Sequence, residues 1–311
     1  MAKGVLSYLV IAAFAAWCVH GLSKDAAQIN LSALDGSWGV VLLSGVLSLA
    51  NYALRIVRWH VYLKHMGRVV PFRLSALSYM AGFAFTLSPG KVGEMIRVRY
   101  YRRHGVSMGD VSVAFFAERL MDLLVIVVLA GALLASLPDY RWLGGIGVGA
   151  SLGVLLVLHV MPWTRLHDWL GRQGGAHPSA LVRGLQKVAG LLFNSRQLLS
   201  HRMLLLGFVA GLTAWGLEAI GFKLVGDVIS PNAGLAWTAG VGIYATATLV
   251  GALSFLPGGL GSTEAVMTGL LVTHHFSMGD ALLLTLVCRV LTLWLAVLIG
   301  WICVWLLRHE N

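Results

Sequence analysis

Apolar residues fall in long blocks separated by short basic segments. Nearly uninterrupted apolar runs occupy residues 5–22, 38–57, 111–136, 142–161, 203–222 and 281–306. Each reaches or approaches the roughly 20 residues that a helix needs to cross about 30 Å of hydrocarbon, so six full spans are expected. Two further apolar segments, 74–88 and 238–256, behave differently. Each runs into a Pro-Gly interruption, SPGKVGEM at 88–95 and LPGGLGSTE at 256–264.

Composition agrees with this pattern. Of 311 residues, 58% are hydrophobic and 12% charged, with a mean hydropathy of +0.80; no soluble domain of this size is so poor in charge, so a polytopic membrane protein is expected. The opening run has a single lysine and no small-x-small cleavage site after it, and therefore reads as a span rather than a removable secretory signal. Cys18, Cys288 and Cys303 all lie in apolar runs without metal-ligand spacing, and His274-His275 reads as an interfacial loop. Neither a metal nor a cofactor is expected.

The net charge of +10 does not point to nucleic acid, because the basic residues sit in short loops beside spans, where topology explains them. Eighteen of the 23 lysines and arginines fall in 55–73, 91–103 and 162–202 or at Lys3 and Arg308. All are cytoplasmic if both termini are. Lys24, Arg141 and Lys223 then lie outside. The apolar spacing of ALVRGLQKVAGLLF makes 162–202 a cytoplasmic amphipathic connector.

This orientation puts both ends of 74–104 on one side, and the fifteen residues of 74–88 would make a helix of only about 22 Å. The segment is expected to be a re-entrant hairpin, and 238–275 a second one opening from the opposite face. Glu94 and Glu264, the tetrapeptide SMGD at 107–110 and 277–280, and Arg119 and Arg289 all recur at the same spacing. The expected fold is therefore an all-α polytopic membrane protein with six full spans and two re-entrant hairpins arranged as an inverted repeat, eight segments in all. It forms one membrane domain over 1–311, with repeat units at 38–136 and 203–306.

The hairpin tips are Pro89, Gly90 and Gly93 in one unit and Pro257, Gly258, Gly259 and Gly261 in the other. Such a tip ends one half-helix and begins the next, leaving backbone N–H groups and a positive dipole end at membrane depth, which suits an anionic group. Charges inside the spans add to this. An arginine there costs at least about 2.5 kcal/mol, so Arg119 and Arg289 need partners. Glu118 and Asp122 share a helical face, with Asp122 within reach of Arg119. Arg289 has Cys288 and Thr292 where the first unit has acids, and must look to Glu264, Glu218 or a ligand. In NYALRIVRWHVY, Asn51, Arg55, Arg58 and Tyr62 form one stripe; Arg55 is a candidate lining residue, while Arg58 and Trp59 read as interface markers. The candidate substrate-binding set is Arg55, Lys91, Glu94, Arg119, Glu264 and Arg289, and Glu118, Asp122 and Glu218 are candidates for proton or ion coupling.

The segments NYALRIVRW, SPGKVGE, ERLMD and FLPGGLGSTE resemble the lysylphosphatidylglycerol synthase transmembrane (flippase-like) family, the membrane module of multiple-peptide-resistance proteins. The resemblance implies a bacterial inner-membrane protein that handles lipids with phosphate head groups, such as phosphatidylglycerol derivatives or polyprenyl-phosphate-linked sugars. Its partners would be anionic membrane lipids, with a lipid- or glycan-synthesis enzyme as a further candidate. The aminoacyl transferase domain that makes the lipid in full-length relatives does not follow, so this chain is not expected to synthesise it. A lipid flippase or transporter is the leading expectation. An intramembrane enzyme acting on a lipid phosphate, or an accessory scaffold, is the alternative.

Overall fold

A computed structural model describes residues 29–136, 141–162 and 193–309, with isolated positions between 163 and 192. The span expected at 5–22 and most of the 162–202 connector lie outside the described residues. All the regular elements described are helical.

The first repeat unit begins with α1, Trp38–His65. It ends where Gly67 takes a left-handed φ of 76° and the Arg68 N–H donates back to the Leu63 carbonyl, a glycine-terminated helix stop. Helix α2, Phe72–Phe83, leads to a 3-10 stretch at Pro89–Ile96 and the short α3, Arg97–Tyr101. Helix α4 is Met108–Ser136, and α5, Arg141–Val160, packs beside it. The second unit runs through α6, His201–Ile229, which stops before Pro231, and α7, Trp237–Leu253. A turn at Pro257–Gly259 then leads to α8, Ser262–Thr273. Helix α9, Met278–Arg289, passes through a π turn at Val290–Trp294 into α10, Leu295–His309.

Three of the described helical stretches are long and apolar enough to cross a membrane: Trp38–His65, His201–Ile229 and Met278–Arg308. Helix α4 is as long, but carries Glu118, Arg119 and Asp122 in its middle. At 1.5 Å per residue, the 12-residue α2 and 17-residue α7 span only roughly 18 and 26 Å. The two interruptions differ. The second is a turn between two helices, whereas the first continues as eight residues of 3-10 structure before a single short helix.

The sequence repeat has a structural counterpart. SMGD opens α4 and α9 in the same way, with the Ser107 and Ser277 hydroxyls accepting from the Asp110 and Asp280 N–H groups at 3.1 Å, a helix cap made twice. Helices α1 and α6 run antiparallel, with Ser44 against Gly221 and Arg58 against Gly211. The units also exchange packing partners: α2 lies on α10, and α7 lies on α4. The two interruptions touch, with Leu87 against Gly258.

Two large apolar cores result among the described residues, with a smaller one around Met121, Leu124 and Leu204. One gathers Val125, Phe222, Ile243 and Leu284, and the other Tyr52, Trp59, Tyr79 and Leu307. The exchanged seams are tight. A Cβ on Gly242 would overlap the Leu133 backbone, and one on Gly300 would meet the Met80 carbonyl at 2.9 Å and the Ala84 nitrogen closer still. Gly242→Ala and Gly300→Ala are each expected to destabilise the protein by about 1–3 kcal/mol through overpacking. Gly216→Ala, with open space around its Cβ, should be neutral or gain up to about 1 kcal/mol from helix propensity. Thermal unfolding in detergent checks the contrast.

Candidate functional site

Four arginines and three carboxylates meet between α1, α4 and the first interruption. Arg55 donates to Asp122 Oδ2 at 2.6 Å and lies 3.6 Å from Glu118. Arg58 donates to Asp122 Oδ1 at 2.8 Å and Glu118 Oε1 at 3.3 Å. Arg97 reaches Glu94 Oε2 at 2.8 Å and Glu118 Oε2 at 3.4 Å. Arg119 also takes Glu94 Oε2, at 2.7 Å, and approaches Asp122 at 3.8 Å. The Tyr79 hydroxyl donates to Glu118 and that of Thr86 to Glu94 at 3.1 Å.

These contacts follow from local geometry. Arg55 and Arg58 are three residues apart on α1, and Glu118 and Asp122 four apart on α4, so each pair shares one helical face. Glu94 and Arg97 straddle the start of α3 and turn inward together. Arg97 is fully enclosed with its guanidinium 4.6 Å from the Trp59 ring and 4.0 Å from the Tyr79 ring, an arrangement that suits a planar cation. Arg55 sits where the two apolar cores join, 5.8 Å from Phe83 and 5.2 Å from Trp215.

The cluster contains one more cation than anions, and Lys91 lies within electrostatic reach of it without an ion pair among the described residues. The Nε groups of Arg55, Arg58, Arg97 and Arg119 are buried and make no hydrogen bond. Arg119 is the most accessible of the seven, with 23% of its side chain exposed.

The second unit repeats one element of this cluster. Arg289 donates from Nε to Glu264 Oε1 at 2.6 Å and from Nη2 to the Gly258 carbonyl at 2.7 Å. In both units a glutamate after the interruption holds an arginine 25 residues later. Glu264 also accepts the Gly261 N–H at 2.6 Å, so a carboxylate occupies the first N–H at the start of α8, where the sequence suggests an anion. Gly258, Gly259 and Gly261 have φ values of 62°, 67° and 82°, which Pro257 and its neighbours need for the tight turn. In the first unit, the Gly93 N–H donates to the Ser88 hydroxyl at 2.6 Å.

The structure therefore brings Arg55, Glu94, Glu118, Arg119 and Asp122 together, with Lys91 beside them. Glu264 and Arg289 form a separate pair, and Glu218 stands apart, accepting the Tyr244 hydroxyl. Two readings of the sequence are corrected. Arg58 is not an interface marker but is 1% exposed inside the cluster. Arg97 is not a loop charge, so Arg55, Arg58 and Arg97 cannot be counted among the cations that set orientation. Sequence reasoning also missed Tyr79 and Tyr244. The available signal was stoichiometric: two acids on one face of α4 and a third at the tip require more cations than Arg119 alone.

Comparison with known proteins places this chain in a family. A "UPF0104 membrane protein" of Methanothermobacter thermautotrophicus is 24% identical over 313 residues, covering 95% of this chain and 90% of that protein. The family described as "Lysylphosphatidylglycerol synthase TM region" matches residues 4–300, both interruptions and all seven cluster residues included. This chain is thus a multi-pass membrane protein that belongs to the lysylphosphatidylglycerol synthase transmembrane-region family.

Proposed function

We propose that the protein moves a lipid with an anionic head group, a phosphatidylglycerol derivative or a polyprenyl-phosphate-linked lipid, between membrane leaflets. It acts as a flippase or transporter rather than an enzyme. The observation that carries this reading is the charge imbalance of the buried cluster: Arg55, Arg58, Arg97 and Arg119 against Glu94, Glu118 and Asp122, with Lys91 beside them. A surplus cation at membrane depth is costly, and an anionic head group neutralises it and can accept from guanidinium N–H groups that have no partner. The acyl or prenyl chains stay in the bilayer.

In this reading, the short helices and their interruptions are re-entrant hairpins in units of opposite orientation. The touching tips lie near the midplane, and rocking of one unit against the other exposes the site to each side in turn. Both termini face the cytoplasm, and the membrane is the bacterial inner membrane. The family's name for a lipid synthase supports a lipid as the ligand.

Reconstitution tests this directly. Vesicles containing the purified protein should exchange labelled phosphatidylglycerol or polyprenyl phosphate between leaflets at least about tenfold faster than a diacylglycerol with the same tails. That factor corresponds to about 1.4 kcal/mol of preference for the charged head group. Equal rates for charged and neutral lipids, or no acceleration over empty vesicles under any imposed ion gradient, would refute the proposal.

A further inference from the structure

Glu218 is a buried carboxylate that the ion-pair cluster does not use. It lies on α6, between the Trp215 and Phe222 rings that flank Tyr244, and its described hydrogen-bond partner is the Tyr244 hydroxyl. Among the described residues, no lysine or arginine nitrogen is within ion-pairing distance. A carboxylate so placed has no ion-pair partner to offset its charge and is a candidate to exchange a proton.

The groups facing it come from four elements. Helix α1 contributes Tyr52 and Arg55, α7 contributes Tyr244, α9 contributes Cys288, and the first tip contributes Lys91. Arg55 is itself held by Asp122 of α4, which it shares with Arg58. The antiparallel register of α1 on α6, Ser44 at Gly221 and Arg58 at Gly211, brings Asn51 opposite the turn that carries Glu218. Asn51 is wholly buried beside the Glu218 carboxyl, within reach of it, yet neither of its amide atoms makes a hydrogen bond of good geometry. One turn earlier, the Ser48 hydroxyl is also buried and unpartnered. Unsatisfied polar groups in such a place call for an exchangeable ligand or a second arrangement.

Arg55 connects the two regions. It is one helical turn beyond Asn51, its guanidinium is 5.2 Å from the ring of Trp215, and Trp215 precedes Glu218 by three residues on α6.

We propose that Glu218 is a proton-binding site and that its occupancy decides whether Arg55 stays on Asp122 or turns toward Glu218, so that one proton is coupled to each anionic ligand of the arginine cluster. The coupling rests on the lipid-transport reading above; the proton site does not. With the carboxyl protonated, Arg55 remains in the cluster and its surplus positive charge is available to the ligand. When the carboxyl returns its proton to water, the new carboxylate offsets that surplus and draws Arg55 away. The anion therefore binds the protonated form more tightly, and by linkage its binding takes up a proton.

Two measurements test this. Infrared titration of the lipid-free protein should show a protonated-carboxyl carbonyl band that is lost as pH rises. Near neutral pH, where exposed carboxyls are ionised, the band should be absent in Glu218→Gln and retained in Glu218→Asp, which keeps an acid. A spectrum unchanged by Glu218→Gln overturns the proton site. Phosphatidylglycerol binding in micelles of neutral detergent should then weaken as pH rises by up to about tenfold per unit, the limit for one coupled proton, and become flat in Glu218→Gln. A pH dependence that survives in Glu218→Gln overturns the coupling while leaving the anionic-lipid reading standing. No phosphatidylglycerol binding at any pH in the native protein overturns that reading and the coupling together, and the infrared band alone then decides the proton site.

Discussion

Glu118→Ala is expected to lower the stability of the protein by about 3–5 kcal/mol, the range for removing one partner from a buried ionic network. Glu118 touches three arginines, Arg55 at 3.6 Å, Arg58 at 3.3 Å and Arg97 at 3.4 Å, and accepts the Tyr79 hydroxyl. Its loss leaves four guanidinium groups, three of them buried, to two carboxylates and strands a buried phenol. Glu118→Gln should lose less, because the amide oxygen still accepts from Tyr79 while the charge is gone. Arg68→Ala is the reference: its pair with Asp110 lies at the protein surface, with the arginine side chain 39% exposed, and is worth about 0–1 kcal/mol. Chemical or thermal unfolding in detergent measures all three. A Glu118→Ala loss no larger than that of Arg68→Ala would show that the cluster does not hold this part of the fold together.

The same cluster shows what could be read from sequence and what could not. Helices α1, α4, α6 and the α9–α10 stretch follow from apolar runs, since backbone groups at membrane depth have to be satisfied within the segment. The spacing shared by Glu94–Arg119 and Glu264–Arg289 is legible because a repeated contact leaves a repeated pattern, and the structure makes that contact twice. Arg97 was hidden for a physical reason. Its neighbours Arg99, Arg102 and Arg103 form a basic run, and local composition cannot reveal that one member folds back against Trp59 and Tyr79.

Arg58 was hidden by its neighbour. A tryptophan next to an arginine near the end of a long apolar helix has the signature of a membrane interface, and only α4 packed alongside, with Glu118 and Asp122, turns it into a core ion pair. The unequal second arms of the two interruptions were partly legible. GKVGE has two glycines in four residues, which weakens a regular helix. Lys91 takes a left-handed φ of 58°, which breaks any regular right-handed helix at that point, and Gly93 packs so close to the Phe85 carbonyl that a Cβ would stand 2.8 Å from it. The tyrosine hydroxyls on Glu118 and Glu218 come from residues 39 and 26 positions away, and nothing local specifies such a pairing.

The second large effect separates holding the fold from holding the ligand. Arg97 uses both terminal nitrogens on carboxylates and has an aromatic ring close on two sides, so Arg97→Lys should cost stability and impair transport only as far as it impairs folding. Arg119 is different: it is the cluster arginine most open to its surroundings, and among the described residues its only close carboxylate contact is Nη2 on Glu94 and its Nε has no partner. A phosphate head group arriving there can take a two-pronged contact that a lysine ammonium cannot reproduce. Arg119→Lys, which keeps the charge, is expected to slow exchange of an anionic lipid by about ten- to a hundredfold, the equivalent of about 1.5–3 kcal/mol for hydrogen bonds to a charged group. Its unfolding temperature should stay close to that of the native protein, because Glu94 still pairs with Arg97. Leaflet-exchange rates and unfolding curves measured on the same two preparations check this. Native exchange rates in Arg119→Lys and again in Arg119→Ala would exclude Arg119 from the lipid site and leave the cluster with a structural role alone.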